Sequence, residues 1–205
     1  MATQKDTVRR LLDRAGRTYA AEAGINLADK PAPLYRLLVL GVLLSTRISA
    51  DIAVAAAREL RGYGTPRKML DATWQQRVDA LGRAHYVRYD ESTATALGDG
   101  ARLLIDEYGG DLRKIRDGEV REQLRKFPRL GPVGADIFCR EAQAVWPELR
   151  PYLDRKTLDG ARRVGLPADA AKLARLVDGP DLAGFSAALV RVSLDKKLAD
   201  QVREG

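Results

Sequence analysis

The sequence predicts an all-α fold, and three observations carry that prediction. Apolar residues recur at helical spacing in segment after segment. Glycine and proline stand where such segments start or stop. No stretch alternates apolar with polar residues in the manner of a half-buried strand. The 205 residues suffice for one large domain or two small ones, with a core that needs no covalent staples.

The run Leu37 to Leu44 is too continuously apolar for a surface helix and predicts a buried central one. It is also far too short to cross a bilayer. Ser49 or Asp51 can cap the next helix, where Ile52, Val54, Ala57 and Leu60 recur and Gly62 marks the end. Thr65-Pro66 opens another with proline at its first position, carrying Met69 and Leu70. Trp74, Val78 and Leu81 define one that stops at Gly82, and Trp74 and Trp146 both read as core packing. From about Asp90 a helix carries Ala94, Ala96, Leu97, Ala101, Leu103, Leu104 and Ile105 until Gly109-Gly110 breaks it. Val120 to Phe127 and Val133 to Trp146 form two helical arms around Pro128 and the short turn Arg129-Leu130-Gly131. Pro147 and Pro151 punctuate the exit, and further helices fit Leu158 to Val164, Ala168 to Val177 and Leu182 to Leu198.

Composition narrows the function classes. Apolar content at ordinary globular levels argues against a disordered chain. A net charge of +7 and a pI near 9.7 favour a polyanionic partner through counterion release. The segment MATQKDTVRR lacks the apolar core of a signal peptide. Cys139, the one cysteine of the sequence, excludes an intramolecular disulfide and any cysteine-based zinc or iron–sulfur site, and it reads as a buried thiol. A protein of the cytoplasm with no membrane partner is the expectation.

The most informative stretch is Leu124 to Phe138, LRKFPRLGPVGADIF. Helix, tight turn and second helix make a hairpin, and the backbone N–H groups at such a helix start form a site for a phosphate. Gly131 and Gly134 let another backbone come close. Downstream, Tyr152-Leu153-Asp154-Arg155-Lys156 supplies a carboxylate among cations. The two segments together point to a protein that holds DNA by its backbone and does chemistry on a base.

Several motifs resemble those of the endonuclease III-like superfamily of helix-hairpin-helix DNA glycosylases, over roughly Pro33 to Leu166. Leu43-Leu44-Ser45-Thr46-Arg47-Ile48-Ser49 is similar to the LLSxQxT segment of that superfamily, and Thr65-Pro66 follows about one helix later. Leu103 to Gly110 resembles the helix that ends just before the hairpin. Phe127-Pro128-Arg129-Leu130-Gly131-Pro132-Val133-Gly134-Ala135 resembles LPGVGxKTA, and Leu153-Asp154-Arg155-Lys156 falls where Val-Asp-Thr-His stands. The resemblance implies a two-domain α fold with a central DNA-binding cleft. One domain is a six-helix bundle over residues 30–140, and the other combines residues 1–29 with 141–205. It implies a monomeric base-excision-repair enzyme acting on double-stranded DNA, with no cofactor and no metal. The alternative is a catalytically inactive helix-hairpin-helix DNA-binding protein.

This sequence departs from the pattern at informative places. Val133 stands where bifunctional members carry lysine, and a valine cannot form a Schiff base with the sugar. The resemblance therefore implies a monofunctional glycosylase without lyase activity. Arg129 replaces the first hairpin glycine, Arg47 replaces the glutamine of LLSxQxT, and the four-cysteine cluster of many members is missing.

Asp154 is the expected catalytic residue, because a fixed carboxylate stabilises positive charge developing on the sugar and can deprotonate a water. The plainer alternative is an N-cap, and one residue can serve as both. Arg129, Leu130, Gly131, Val133 and Gly134 are expected to bind the DNA backbone, against the alternative of an ordinary helix–helix turn. Arg47 can fill the gap left by a flipped base or pair with Asp51 one turn on. Lys156 can contact a phosphate, replace the missing amine nucleophile, or simply be solvated. Tyr86, Tyr89 and Glu91 are candidates for a base pocket, against a capped loop with a partly buried tyrosine. The one histidine, His85, reads as a surface or packing residue.

Overall fold

A computed structural model of the chain describes residues 3–204. All the regular structure among them is helical, as the sequence predicts. The helices are α1 (Gln4–Ala15), α2 (Tyr19–Glu22), α3 (Pro31–Leu44), α4 (Ala50–Glu59), α5 (Pro66–Asp71), α6 (Trp74–Arg83) and α7 (Asp90–Tyr108). They continue as α8 (Val120–Leu124), α9 (Gly131–Ala142), α10 (Arg155–Arg163), α11 (Ala170–Ala174), α12 (Leu182–Leu194) and α13 (Lys196–Glu204). No helix among the described residues is long and apolar enough to cross a membrane.

Two compact units emerge, one comprising Ala20–Phe138 and the other the two chain ends, up to Tyr19 and from Cys139 onward. The sequence reading places these boundaries at 29/30 and 140/141. The segment after Tyr19 joins the first unit because Ala20, Ala23 and Ile25 are buried. In addition, Arg58 donates to the Glu22 carbonyl and Arg36 Nη2 to the Gly24 carbonyl at 3.2 Å.

In the Ala20–Phe138 unit, α3 is the central helix. Leu34, Leu37, Leu38, Leu40 and Leu43 are buried on successive faces, and α4, α7 and the 3-10 turn Leu112–Asp117 pack on it. Local chemistry sets the helix starts. Ser49 Oγ accepts from Ile52 N, Thr65 caps α5 ahead of Pro66, and Thr73 forms a reciprocal capping box with Gln76. The α6 stop differs from the sequence reading: Gly82 lies inside the helix, and His85 ends it with a left-handed φ of 59°. His85 N donates to Gly82 O and Tyr86 N to Leu81 O, the paired bonds of a Schellman termination. Trp74 is also corrected. It is 41% exposed and donates its indole N–H to Thr95 Oγ1, so it lies on the surface rather than in the core.

In the other unit, α12 packs against α1, α10 and α13 around Leu11, Phe185, Leu189 and Val192. The apolar run expected as one helix to Leu198 is broken at Asp195, which turns extended (φ −117°, ψ 107°) and caps α13 by accepting from Leu198 N. Gly160 brings α10 against α12 so closely that a Cβ there would stand 1.9 Å from the Leu189 carbonyl oxygen. Because the obstacle is backbone, Gly160→Ala is expected to cost at least about 3 kcal/mol as the helices are forced apart. A urea melt reads the loss, and a midpoint unchanged from the parent would show that the crossing yields freely.

Candidate functional site

The hairpin is built from its apolar residues outward. Phe127 is buried and stacks on Tyr108, with centroids 6.3 Å apart, which anchors the exit from α8. Arg129 and Gly131 both take left-handed backbone, at φ 62° and 56°, to reverse the chain. For an arginine that conformation costs about 1 kcal/mol or more. Leu130 is buried where a Cβ on Gly134 would stand 2.9 Å, and one on Gly41 3.3 Å, from its Cδ1. Arg121 Nε ties α8 to Asp136 of α9 at 2.7 Å.

This geometry sorts the expected backbone-binding residues. Leu130 N donates to Phe127 O and Gly134 N to Leu130 O, so neither amide is free and both residues serve packing. That corrects the reading of Gly134: its missing side chain makes room for Leu130. The N–H groups of Gly131 and Val133 make no hydrogen bond among the described residues, and Pro132 between them has none to make. Val133 is 61% exposed. Two unpaired donors thus stand at the positive end of the α9 dipole.

Arg129 connects three distant sequence segments. Its carbonyl accepts from Ser45 Oγ at 2.9 Å, in the turn after α3. Its Nη1 donates to Ser92 Oγ at 2.8 Å, and its guanidinium lies 5.5 Å from the Tyr89 ring centroid. Arg88 approaches the same ring at 5.3 Å, so the half-buried Tyr89 already has two cations beside its ring. Tyr86 is fully buried, with its hydroxyl 2.6 Å from Thr46 Oγ1 and donating to Leu43 O. It pins the turn after α3, which overturns its candidacy for a base pocket. Glu91 is exposed at the start of α7, its N–H held by Asp90 Oδ1 at 2.7 Å. Arg47 is exposed in the turn after α3 and makes no ion pair among the described residues, so the pairing with Asp51 is not formed.

Asp154 belongs to the unit of the chain ends. It caps α10: Oδ1 accepts from Thr157 N at 3.1 Å, while Thr157 Oγ1 donates back to the Asp154 carbonyl at 2.6 Å. Oδ2 lies 3.5 Å from Arg140 Nη1, and the two side chains are only 16% and 12% exposed. Arg140 Nη1 has no hydrogen-bond partner of its own, so the charge of Asp154 is what answers it. The loop leading to Asp154 is bracketed by buried Gln143, whose Oε1 accepts from Tyr152 N and whose Nε2 donates to Tyr152 O and Arg140 O. Arg150 adds bonds to the carbonyls of Gln143 and Ala144. Sequence reasoning missed Arg140, Gln143 and Arg150. The signal for Arg140 and Gln143 was three polar residues, Arg140, Glu141 and Gln143, inside the otherwise apolar stretch FCREAQAVW. Lys156 is exposed and not paired with Asp154. A lysine nucleophile needs desolvation or a cationic neighbour, and exposure does not supply the first.

No family model matches this sequence, and no curated protein matches it significantly. Solved structures do match. A trapped covalent endonuclease III–DNA intermediate, the estranged-adenine complex, aligns with a TM-score of 0.52 at 16% identity, over 94% of this chain and 86% of that one. A non-covalent endonuclease III–DNA complex aligns with the same values. The chain has the endonuclease III fold. At this identity the likeness speaks for the architecture alone. Many members of the superfamily hold an iron–sulfur cluster on four cysteines; Cys139, the one cysteine of this sequence, is buried, and the donor set does not fit such a cluster.

Proposed function

We propose that this chain is a monofunctional DNA glycosylase that hydrolyses the N-glycosidic bond of a damaged or mispaired base in duplex DNA. One observation carries the reading: on an endonuclease III fold, the carboxylate of Asp154 is held in one orientation by the start of α10 and by the Arg140 charge. A carboxylate preorganised in this way stabilises charge without reorganising when the reaction occurs. As the C1′–N bond breaks, its electron pair leaves with the base and the sugar becomes cationic. Asp154 faces that cation and accepts a proton from the water that adds to C1′; this proton passes through solvent to the departed base, which leaves neutral, and Asp154 is again a carboxylate. The unpaired amides of Gly131 and Val133, with Arg129, hold backbone phosphates and position the duplex without reading its sequence. Arg47 enters the space left by the flipped base. Val133 offers no amine, so no Schiff base forms and the product is an abasic site in an intact strand.

The test is a panel of duplex oligonucleotides, each with one lesion or mismatch, incubated with the protein and divided into alkali-treated and untreated halves. Strand cleavage only after alkali is the expected result, and it names the base. Cleavage without alkali would refute the Val133 argument. No cleavage of any duplex, with binding that falls steeply with salt, would leave a DNA-binding protein without excision.

A further inference from the structure

A second basic site lies at the other end of α3, with Arg36 more than two helical turns before Ser45. An open cavity of about 530 Å³ is bounded there by Arg36, Arg58 and Arg61, with Glu59, Gly24 and Gly62 completing its wall. Glu59 is already committed, its Oε2 2.7 Å from Arg83 Nε. Arg58 donates through Nε and Nη2 to the Glu22 carbonyl, and Arg36 through Nη2 to that of Gly24. Those bonds use only part of each five-donor fork and bring no negative charge. Arg61 is exposed and makes no hydrogen bond or ion pair among the described residues. Gly64 leaves room for the stem of Arg36: a Cβ there would meet Arg36 Cδ at 3.2 Å. Burial, and then the charge of Arg61, hold the Arg36 guanidinium below its ordinary pKa. Three cations therefore converge on one concavity with no free counter-charge in its wall.

We propose that this cavity binds a small phosphate-bearing anion, a diphosphate or a nucleotide carrying one, through Arg36, Arg58 and Arg61. Three uncompensated charges match a multiply charged group better than a single carboxylate, and guanidinium forks suit phosphate oxygens bidentately. A concave site favours a small molecule over a duplex, which needs an extended surface. The site stands independently of the glycosylase reading.

Titration calorimetry of the full chain with inorganic pyrophosphate tests it, with deoxyadenosine diphosphate and deoxyadenosine as further arms. Saturable binding of pyrophosphate and of the diphosphate, but not of the nucleoside, is expected. Arg61→Gln touches no structural bond among the described residues and should keep its melting temperature. It should weaken pyrophosphate binding by at least about tenfold, the worth of one charge-assisted hydrogen bond. Unchanged affinity in Arg61→Gln, or no saturable binding by the parent, would overturn the proposal. So would a loss of duplex-DNA affinity in Arg61→Gln equal to its loss for pyrophosphate, which would assign these arginines to a DNA-contacting surface.

Discussion

Asp154→Asn is expected to lower base excision by at least about a hundredfold, the usual consequence of removing a preorganised electrostatic stabiliser. Asparagine is the informative replacement because it caps a helix as well as aspartate does. Its side-chain oxygen can still accept from Thr157 N, so α10 keeps its start. What disappears is the negative charge. The variant then presents a neutral amide to the forming sugar cation and can no longer take a proton from water. Arg140 is left without its counter-charge at a site where both side chains are mostly buried, so a fall in melting temperature accompanies the loss of rate. Duplex binding, carried by the hairpin amides and Arg129 in the proposed mechanism, should persist. Single-turnover excision on the lesion found by the panel, beside fluorescence anisotropy on the same duplex, separates the two effects. A folded Asp154→Asn variant with near-parental excision would reduce Asp154 to a cap.

Arg77→Leu is expected to destabilise the Ala20–Phe138 unit by about 3 kcal/mol or more, from the cost of stranding buried hydrogen-bonding groups. For a chain of this length that corresponds to a fall of roughly 10 °C in Tm. Arg77 is 8% exposed and donates Nε to Ala94 O at 2.9 Å and Nη1 to Met69 O and Ala72 O at 2.9 and 2.8 Å. Two of these carbonyls lie at the C-terminal end of α5, where no further helical turn can satisfy them. Leucine fills much of the volume but leaves all three acceptors without this donor. Burial lowers the guanidinium's pKa, and Tyr35 and Asp99 act in the opposite direction. The fork is accommodated on α7 by Gly98, where a Cβ would stand 2.8 Å from Nη2. Arg77→Lys should recover only part of the loss, because one ammonium cannot reach three carbonyls in a fixed fork. Thermal melts of both variants decide it, and a Leu variant within about 2 °C of the parent would show that the acceptors find other partners.

Neither the clamp nor the details of the hairpin were legible in the linear chain. Nothing near Arg77 in the sequence marks its role, because its acceptors are Ala94 on α7 and Met69 and Ala72 at the end of α5. Tyr86 reads as a base-pocket candidate or a partly buried loop tyrosine, yet its hydroxyl reaches Thr46, forty residues away in sequence. Gly134 reads as a place where another backbone comes close, yet Leu130 fills the space beside it. Gln143 gave a weak signal, a polar residue in an apolar run, but nothing local shows that both ends of its amide are spent on Tyr152.

What could be read from the sequence was whatever depends on neighbours along the chain. Helical periodicity, the caps at Ser49, Thr65 and Asp154, the proline of α5 and the hairpin between α8 and α9 all follow from interactions within a few residues. The tertiary structure decided which polar groups are buried together: Arg140 with Asp154, Gln143 with Tyr152, Arg77 with three carbonyls, and Arg36, Arg58 and Arg61 around one cavity. Those pairings depend on chain reversals and on packing distances of a few ångströms. Periodicity marks the face of a helix and leaves open which group it meets.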